Sequence, residues 1–167
     1  MKNLILCGFM GSGKTTLARE LSKTLDMPLI DTDEELVKRQ GTSISQIFET
    51  KGEPFFRKLE AELIRELSKK EGIIISLGGG IAAQRENHSY LREAGIVLLL
   101  DCGLEETLRR IKDDPTRPLT AKGETDIIER YNMRKPIYEE VADIIIDSSG
   151  DRERTLALTL TAIEEMI

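Results

Sequence analysis

The sequence has no tryptophan, and aromatic residues fill only 4% of its 167 positions. A surface that stacks unpaired bases needs such rings at intervals, so a nucleic-acid platform is disfavoured. The single histidine, His88, cannot build a histidine-rich metal site, and a surface helix is its expected place. The two cysteines, Cys7 and Cys102, lack metal-ligand spacing and stand at the ends of apolar runs, which predicts reduced, buried thiols. No apolar run reaches membrane-spanning length, and Leu4-Ile5-Leu6 behind Met1-Lys2-Asn3 is too short for a secretory signal. Basic residues number 24 against 30 acidic ones, a net charge of −6 with no basic cluster. Generic binding to nucleic acid or to an anionic membrane is therefore disfavoured as well. The expectation is a cytoplasmic monomer acting on small molecules, whose own charge a local pocket can still oppose.

What is present suits one domain over 1–167: 40% apolar and 32% charged residues, with length enough for a single core. Short apolar runs recur at Leu4–Cys7, Pro28–Ile30, Ile73–Leu77, Ile96–Leu100 and Ile144–Ile146. Their near-continuous apolar character predicts strands covered on both faces, as in a parallel sheet. Between them, Leu17, Leu21 and Leu25 repeat at helical spacing, and so do Phe56, Leu59, Leu63 and Leu67. Ser43 with Gln46 reads as a capping box, and residues 151–167 read as a closing helix with Leu156, Leu160 and Ile163 inward. Alternating strand and helix gives an α/β three-layer architecture. Residues 112–123 break the rhythm, with two prolines, a glycine and many charges around Arg117. They read either as a plain surface loop or as a flap over a site.

Gly8-Phe9-Met10-Gly11-Ser12-Gly13-Lys14-Thr15 matches G-x-x-x-x-G-K-[ST] at every fixed position, after a strand and before a helix. Glycines let successive backbone N–H groups turn inward onto phosphate oxygens, and the start of the following helix adds positive potential. Lys14 can reach the β- and γ-phosphates, and the Thr15 hydroxyl can ligate Mg²⁺. The motif gives nucleotide binding without naming the acceptor. A GTPase is not supported: Asp147–Gly150 fits D-x-x-G only near the end of the chain, with no base-reading motif behind it.

On the acceptor side, Asp31 and Asp33 follow the second strand. In extended backbone they share a face, roughly 7 Å apart, at the sheet edge where open α/β folds bind ligands. One could hold a Mg²⁺-bound water and the other accept a hydroxyl proton; alternatively one of them caps a helix starting at Glu34. Arg57 and Glu60 stand at i, i+3, where the carboxylate can hold the guanidinium toward a planar substrate carboxylate. Gly78-Gly79-Gly80 follows the third run and either lets backbone approach a ligand or makes a loose turn. Arg134 precedes Lys135-Pro136, where a helix should stop, and faces either the site or solvent.

Taken in order, these segments resemble the shikimate kinase family over nearly the whole chain. The resemblance rests on the phosphate loop, Asp31-Thr32-Asp33, Gly52-Glu53 through Phe56-Arg57 to Glu60, Gly78-Gly79-Gly80, Thr116-Arg117-Pro118-Leu119, and Arg134 through Tyr138 to Asp143. It implies a P-loop NTPase-type fold like that of nucleoside monophosphate kinases: a five-stranded parallel sheet flanked by helices, a substrate-binding helical region at about 32–60 and a lid at about 112–123. It implies transfer of the γ-phosphoryl of ATP to the 3-hydroxyl of shikimate, a step toward chorismate and the aromatic amino acids. Lys14, Asp33 and Arg117 would be catalytic. Gly11, Ser12, Gly13, Lys14, Thr15, Thr16, Arg110, Arg117 and Arg152 would bind ATP, with Arg110 and the loop from Ser148 to Arg152 against the adenine. Asp33, Arg57, Gly79, Gly80 and Arg134 would hold the substrate, with Glu60 positioning Arg57 and Phe48 and Phe56 walling the pocket. Mg²⁺ would be bound by Thr15 directly and by Asp31 through water. Other readings stay open here: a gluconate or nucleotide kinase of the same fold, told apart by an acceptor panel, and a non-catalytic nucleotide sensor, told apart by acceptor-dependent turnover.

Overall fold

The computed structural model describes residues 2–114 and 123–166. Five strands, β1 (Asn3–Gly8), β2 (Leu29–Asp31), β3 (Ile74–Ser76), β4 (Gly95–Asp101) and β5 (Ile144–Asp147), form one sheet in the order β2-β3-β1-β4-β5. Every pairing is parallel; Leu4 lies opposite Ile74 on one side and Ile96 on the other. Each strand falls within a residue or two of an apolar run read from the sequence.

Side chains alternate across β1. Leu4 and Leu6 join Leu17, Leu21, Ile96, Leu98 and Ile163 under α1 (Lys14–Leu25) and α8 (Arg152–Met166). Ile5 and Cys7 point the other way, into a larger cluster with Phe56, Leu63, Val97, Leu99, Tyr131 and Tyr138. That layer is built by α2 (Thr32–Gln40), α3 (Ile44–Lys51), α4 (Glu53–Leu67), α5 (His88–Ala94), α6 (Leu104–Asp113) and α7 (Glu124–Val141). The sheet is thus buried on both faces, which is why its strands read as unbroken apolar runs. Both cysteines are free and buried, and burial pushes the Cys7 thiol up to about 12, so it stays protonated.

Local physics departs from the sequence reading at four places. Helix α2 begins at Thr32, two residues before the expected Glu34, because Asp31 caps it: Asp31 Oδ1 accepts from the amides of Asp33 (3.0 Å) and Glu34 (3.1 Å). Such a cap contributes about 1 kcal/mol. Asp31 and Asp33 are therefore not alternate residues of one strand. Ser43 does cap α3, accepting from Gln46 N–H at 3.2 Å, but the Gln46 side chain meets Thr42 instead of closing a capping box. His88 is buried, not on the surface; its Nε2 lies 2.8 Å from the Ala82 carbonyl oxygen, a partner that satisfies the ring in the core. Helix α7 does not stop at Lys135 but runs through Pro136. A helix-interior proline costs about 3 kcal/mol. The burial of Tyr131, Tyr138 and Val141 on either side of it supplies the compensation.

Candidate active site

The phosphate loop, Asp31 and Asp33, and the glycine triplet all follow C-terminal strand ends, at the edge of the sheet where the strand order reverses around β1. The phosphate loop leaves β1 at Gly8, whose φ of 149° and contact with the Leu100 carbonyl leave no room for a side chain. Gly13 caps α1 in the left-handed region, with φ 93°, and no side-chain oxygen fills the helix start. The first turn of α1 also carries no acid, so its amides and its dipole are directed at the loop's concavity. Lys14 Nζ folds back along the same loop, donating to the carbonyls of Gly8 (2.6 Å) and Phe9 (3.2 Å). Thr15 and Thr16 follow in that first turn.

Arg110, from α6, closes one flank. Its guanidinium donates to the Gly11 carbonyl (3.1 Å) and the Ser148 carbonyl (2.6 Å) and is braced by Glu106 at 2.9 Å. A cleft of about 130 Å³ runs from Ser12, Gly13 and Thr16 past Arg110 to Ser148 and Arg152. Arg152 reaches across it to Glu20 at 2.7 Å. The hydroxyls of Ser12 and Ser148 are buried here without a hydrogen-bond partner among the described residues. Arg117 and most of the expected lid lie outside the described residues.

The acceptor side is built around the glycine triplet beyond β3. Thr32 Oγ1 accepts from Gly78 N–H at 2.8 Å, tying the start of α2 to the triplet. A methyl group on Gly78 would stand 2.5 Å from Asp33 Oδ1, one on Gly80 would overlap the Arg57 guanidinium, and one on Gly79 would stand 3.4 Å from Arg134 Nη1. Asp33, Arg57 and Arg134, from three different helices, therefore converge on three consecutive glycines.

Arg57 is fixed from several directions. Its Nη1 donates to Glu60 Oε2 at 2.7 Å, its Nε and Nη2 reach Glu53, and the rings of Phe48 and Phe56 lie 6.0 and 5.6 Å from its central carbon. Those two rings pack at 5.0 Å. Glu60 is only 1% exposed, and burial pushes its carboxyl up to about 7 against the pull of Arg57. Asp33 is likewise raised above the ordinary carboxylate range, first by burial and then by the neighbouring Asp31 charge, while Lys14 and Arg57 act in the opposite sense. A carboxylate whose basicity is raised, beside the fixed Arg57 guanidinium and with Arg134 on the same glycines, can bind a hydroxylated organic acid and receive a proton from it.

Two participants in this geometry received no role from the sequence, although both lie in segments that carry the resemblance. Tyr138, buried at 2% exposure, donates its hydroxyl to the Gly79 carbonyl at 2.6 Å. Its place four residues after Arg134, on the same helix face, was the available signal. Thr32 went unassigned because its role is a single hydrogen bond to backbone, which no side-chain pattern announces.

The family model for shikimate kinase matches residues 10–164. Shikimate kinase of Caldicellulosiruptor bescii is 47% identical over 141 residues, covering 83% of this chain and 82% of its own. The crystal structure of shikimate kinase from Aquifex aeolicus superposes with a TM-score of 0.87 at 40% identity, over 97% of this chain and 96% of that one. Shikimate kinase from Acinetobacter baumannii, solved in complex with shikimate, superposes with a TM-score of 0.86 at 32% identity, over 99% and 93% of the two chains.

Proposed function

This chain belongs to the shikimate kinase family, and from that premise we propose how its residues divide the reaction between them. The protein is an ATP-dependent kinase that transfers the γ-phosphoryl group to the 3-hydroxyl of shikimate, giving shikimate 3-phosphate and ADP. The observation that carries the assignment of residues is the convergence of Asp33, Arg57 and Arg134 on Gly78–Gly80.

Arg57 and Arg134 take the shikimate carboxylate, with Gly79 and Gly80 as the backbone floor and Phe48 and Phe56 as a wall. Glu60 acts on Arg57 and not on the substrate. Asp33 binds the hydroxyls and accepts the proton as the 3-hydroxyl attacks, a task its burial suits by bringing its basicity nearer neutral pH. Gly11, Ser12, Gly13, Lys14, Thr15 and Thr16 cradle the phosphates. Arg110 and Arg152 border the adenine end, where the two unpartnered serine hydroxyls also lie. Phosphoryl transfer depends on alignment and charge neutralisation more than on covalent chemistry, so Lys14 and Arg117 are assigned to the charge that develops on the transferring group.

The donor set fits Mg²⁺ carried in with ATP. Among the described residues no group of three or more acidic, cysteine or histidine side chains could hold a metal ion alone. One hydroxyl (Thr15) and one carboxylate acting through water (Asp31) are what a hydrated, phosphate-bound Mg²⁺ requires of a protein. Held there, Mg²⁺ would supply positive charge against the phosphates of ATP. A single domain over 1–167, with substrate helices at about 32–60 and a lid at about 112–123, completes the reading. So do a monomeric state and a cytoplasmic location; no helix among the described residues is long and apolar enough to cross a membrane.

The test is ADP release by the purified protein with Mg·ATP and shikimate, gluconate or nucleoside monophosphates, repeated on Arg57→Ala and Arg134→Ala. Stimulation by shikimate that both variants shift to higher concentration supports the assignment. An unshifted response in either variant removes that arginine from the site.

A further inference from the structure

Asp101 ends β4, outside every role given above, yet three groups converge on its carboxylate. Oδ1 accepts from the Tyr131 hydroxyl at 2.8 Å and from Gly103 N–H at 3.0 Å, and Oδ2 pairs with Lys135 Nζ at 3.0 Å. These hydrogen bonds and the lysine charge hold Asp101 below the ordinary carboxylate range even though burial opposes them, so it is an anion at neutral pH.

The cluster's place on α7 gives it a consequence. Tyr131, Lys135 and Tyr138 stand at i, i+4 and i+7, one stripe of the helix, with Arg134 between them on the same face. Pro136 sits in this stretch and has no N–H to donate to the Asn132 carbonyl, so the helix lacks a rung at the turn that carries Arg134. On one side of that gap Tyr131 and Lys135 are fastened to Asp101, and on the other Tyr138 is fastened to the Gly79 carbonyl. Tyr131 also meets the Phe9 ring of the phosphate loop edge-on at 5.5 Å.

We propose that Asp101, through Lys135 and Tyr131, is a positioning residue for the acceptor: it pins the turn of α7 weakened by Pro136 and so aims Arg134 at the shikimate carboxylate. This rests on the assignment of Arg134 to that carboxylate. It gives Lys135 a part in substrate affinity although Lys135 touches no substrate.

Steady-state kinetics of Lys135→Met, Lys135→Arg, Asp101→Asn, Arg134→Ala and the double variant Arg134→Ala/Lys135→Met test it, with thermal melts of each. Lys135 is partly exposed, so its variants spare the core; Asp101→Asn approaches the same pair from the other partner. Lys135→Met and Asp101→Asn should each raise the shikimate KM about three- to tenfold, with kcat and the ATP KM within about twofold. Lys135→Arg should restore affinity, and Lys135→Met should add nothing once Arg134 is gone. An unchanged shikimate KM in Lys135→Met overturns the proposal alone. So does an equal factor in the Arg134→Ala background, or a matching rise in both substrates' KM, since each marks general loosening. If Arg134→Ala itself leaves the shikimate KM unchanged, the proposal falls together with the site reading beneath it.

Discussion

Helices α1 and α2 both begin at the C-terminal edge of the same sheet, yet their starts are built in opposite ways. The start of α1 has Gly13 at its cap, no side-chain oxygen on its amides and no acid in its first turn. The start of α2 is filled: Asp31 takes two amides, and Asp33, Glu34 and Glu35 occupy the first turn. An unfilled helix start is an anion site, whereas a filled one repels a second anion and holds its own carboxylates in place. On the proposed reading, the nucleotide side recognises phosphate with backbone, the loop's one lysine and Arg117, and the acceptor side recognises shikimate with buried side-chain charges. The first arrangement needs little burial of charge. The second gathers Asp33, Arg57 and Glu60 in one partly dry pocket and is the more sensitive to perturbation.

The largest test of this contrast removes the one cation the phosphate side contributes from its own loop. Lys14→Ala should lower kcat by roughly 10²- to 10³-fold, read by coupled ADP release, since the backbone amides cannot replace a charge at the transferring group. Turnover near wild type would mean that the loop amides and the metal suffice. On the acceptor side, Arg57→Ala should raise the shikimate KM by roughly 30- to 100-fold, the equivalent of about 2–3 kcal/mol for a charge-assisted pair, with the ATP KM nearly unmoved. A comparable shift in both substrates would erase the division between the two sides.

A smaller and pH-dependent effect belongs to Glu60. Its carboxyl is pushed up to about 7 by burial, above the ordinary 4.5. Between those values the folded protein holds a proton that the unfolded chain has released, so this residue's contribution to stability declines as pH rises through that window. Its ionised form, which grips Arg57, prevails only above about 7. Shikimate kcat/KM should therefore fall as pH drops below neutrality. Glu60→Gln should weaken that dependence and leave the part that belongs to Asp33, and its unfolding free energy relative to wild type should improve from pH 4.5 to 7 by on the order of 2 kcal/mol. Parallel stability curves for the two proteins would show that Glu60 is ionised throughout.

The same contrast explains what could be read from the sequence. The five apolar runs and the phosphate loop announce themselves because burial on both faces and a backbone cradle each impose a local pattern. The i, i+3 spacing of Arg57 and Glu60 was legible for the same reason, both residues lying on one helix. Asp31 as the cap of α2 was legible only as one of two alternatives, because Asp-Thr-Asp suits either an extended end or a helix start; the cap itself, and the hydrogen bond of Thr32 to Gly78, decide between them. The path of α7 through Pro136 was hidden: a local rule stops the helix there, and only the burial of Tyr131 and Tyr138 in the sheet layer overrides it. His88 shows the reverse, a polar residue drawn into the core by one carbonyl distant from its own turn.

The smallest expected effect sharpens the comparison within the glycine triplet itself. A methyl on Gly80 meets the Arg57 guanidinium head-on, so Gly80→Ala should displace that group and raise the shikimate KM nearly as far as Arg57→Ala does. A methyl on Gly79 would lie 3.4 Å from Arg134 Nη1 and 3.7 Å from the Tyr138 hydroxyl, ordinary contact distances, and Gly79 has no positive φ that alanine would strain. Alanine also keeps the N–H and the carbonyl that Tyr138 holds. Gly79→Ala should then change the shikimate KM by no more than about threefold, read beside Gly80→Ala in the same assay. A large loss at Gly79 would mean that the substrate itself fills the space beside Arg134, which would place the carboxylate nearer that arginine than Arg57 and reverse the weight given to the two.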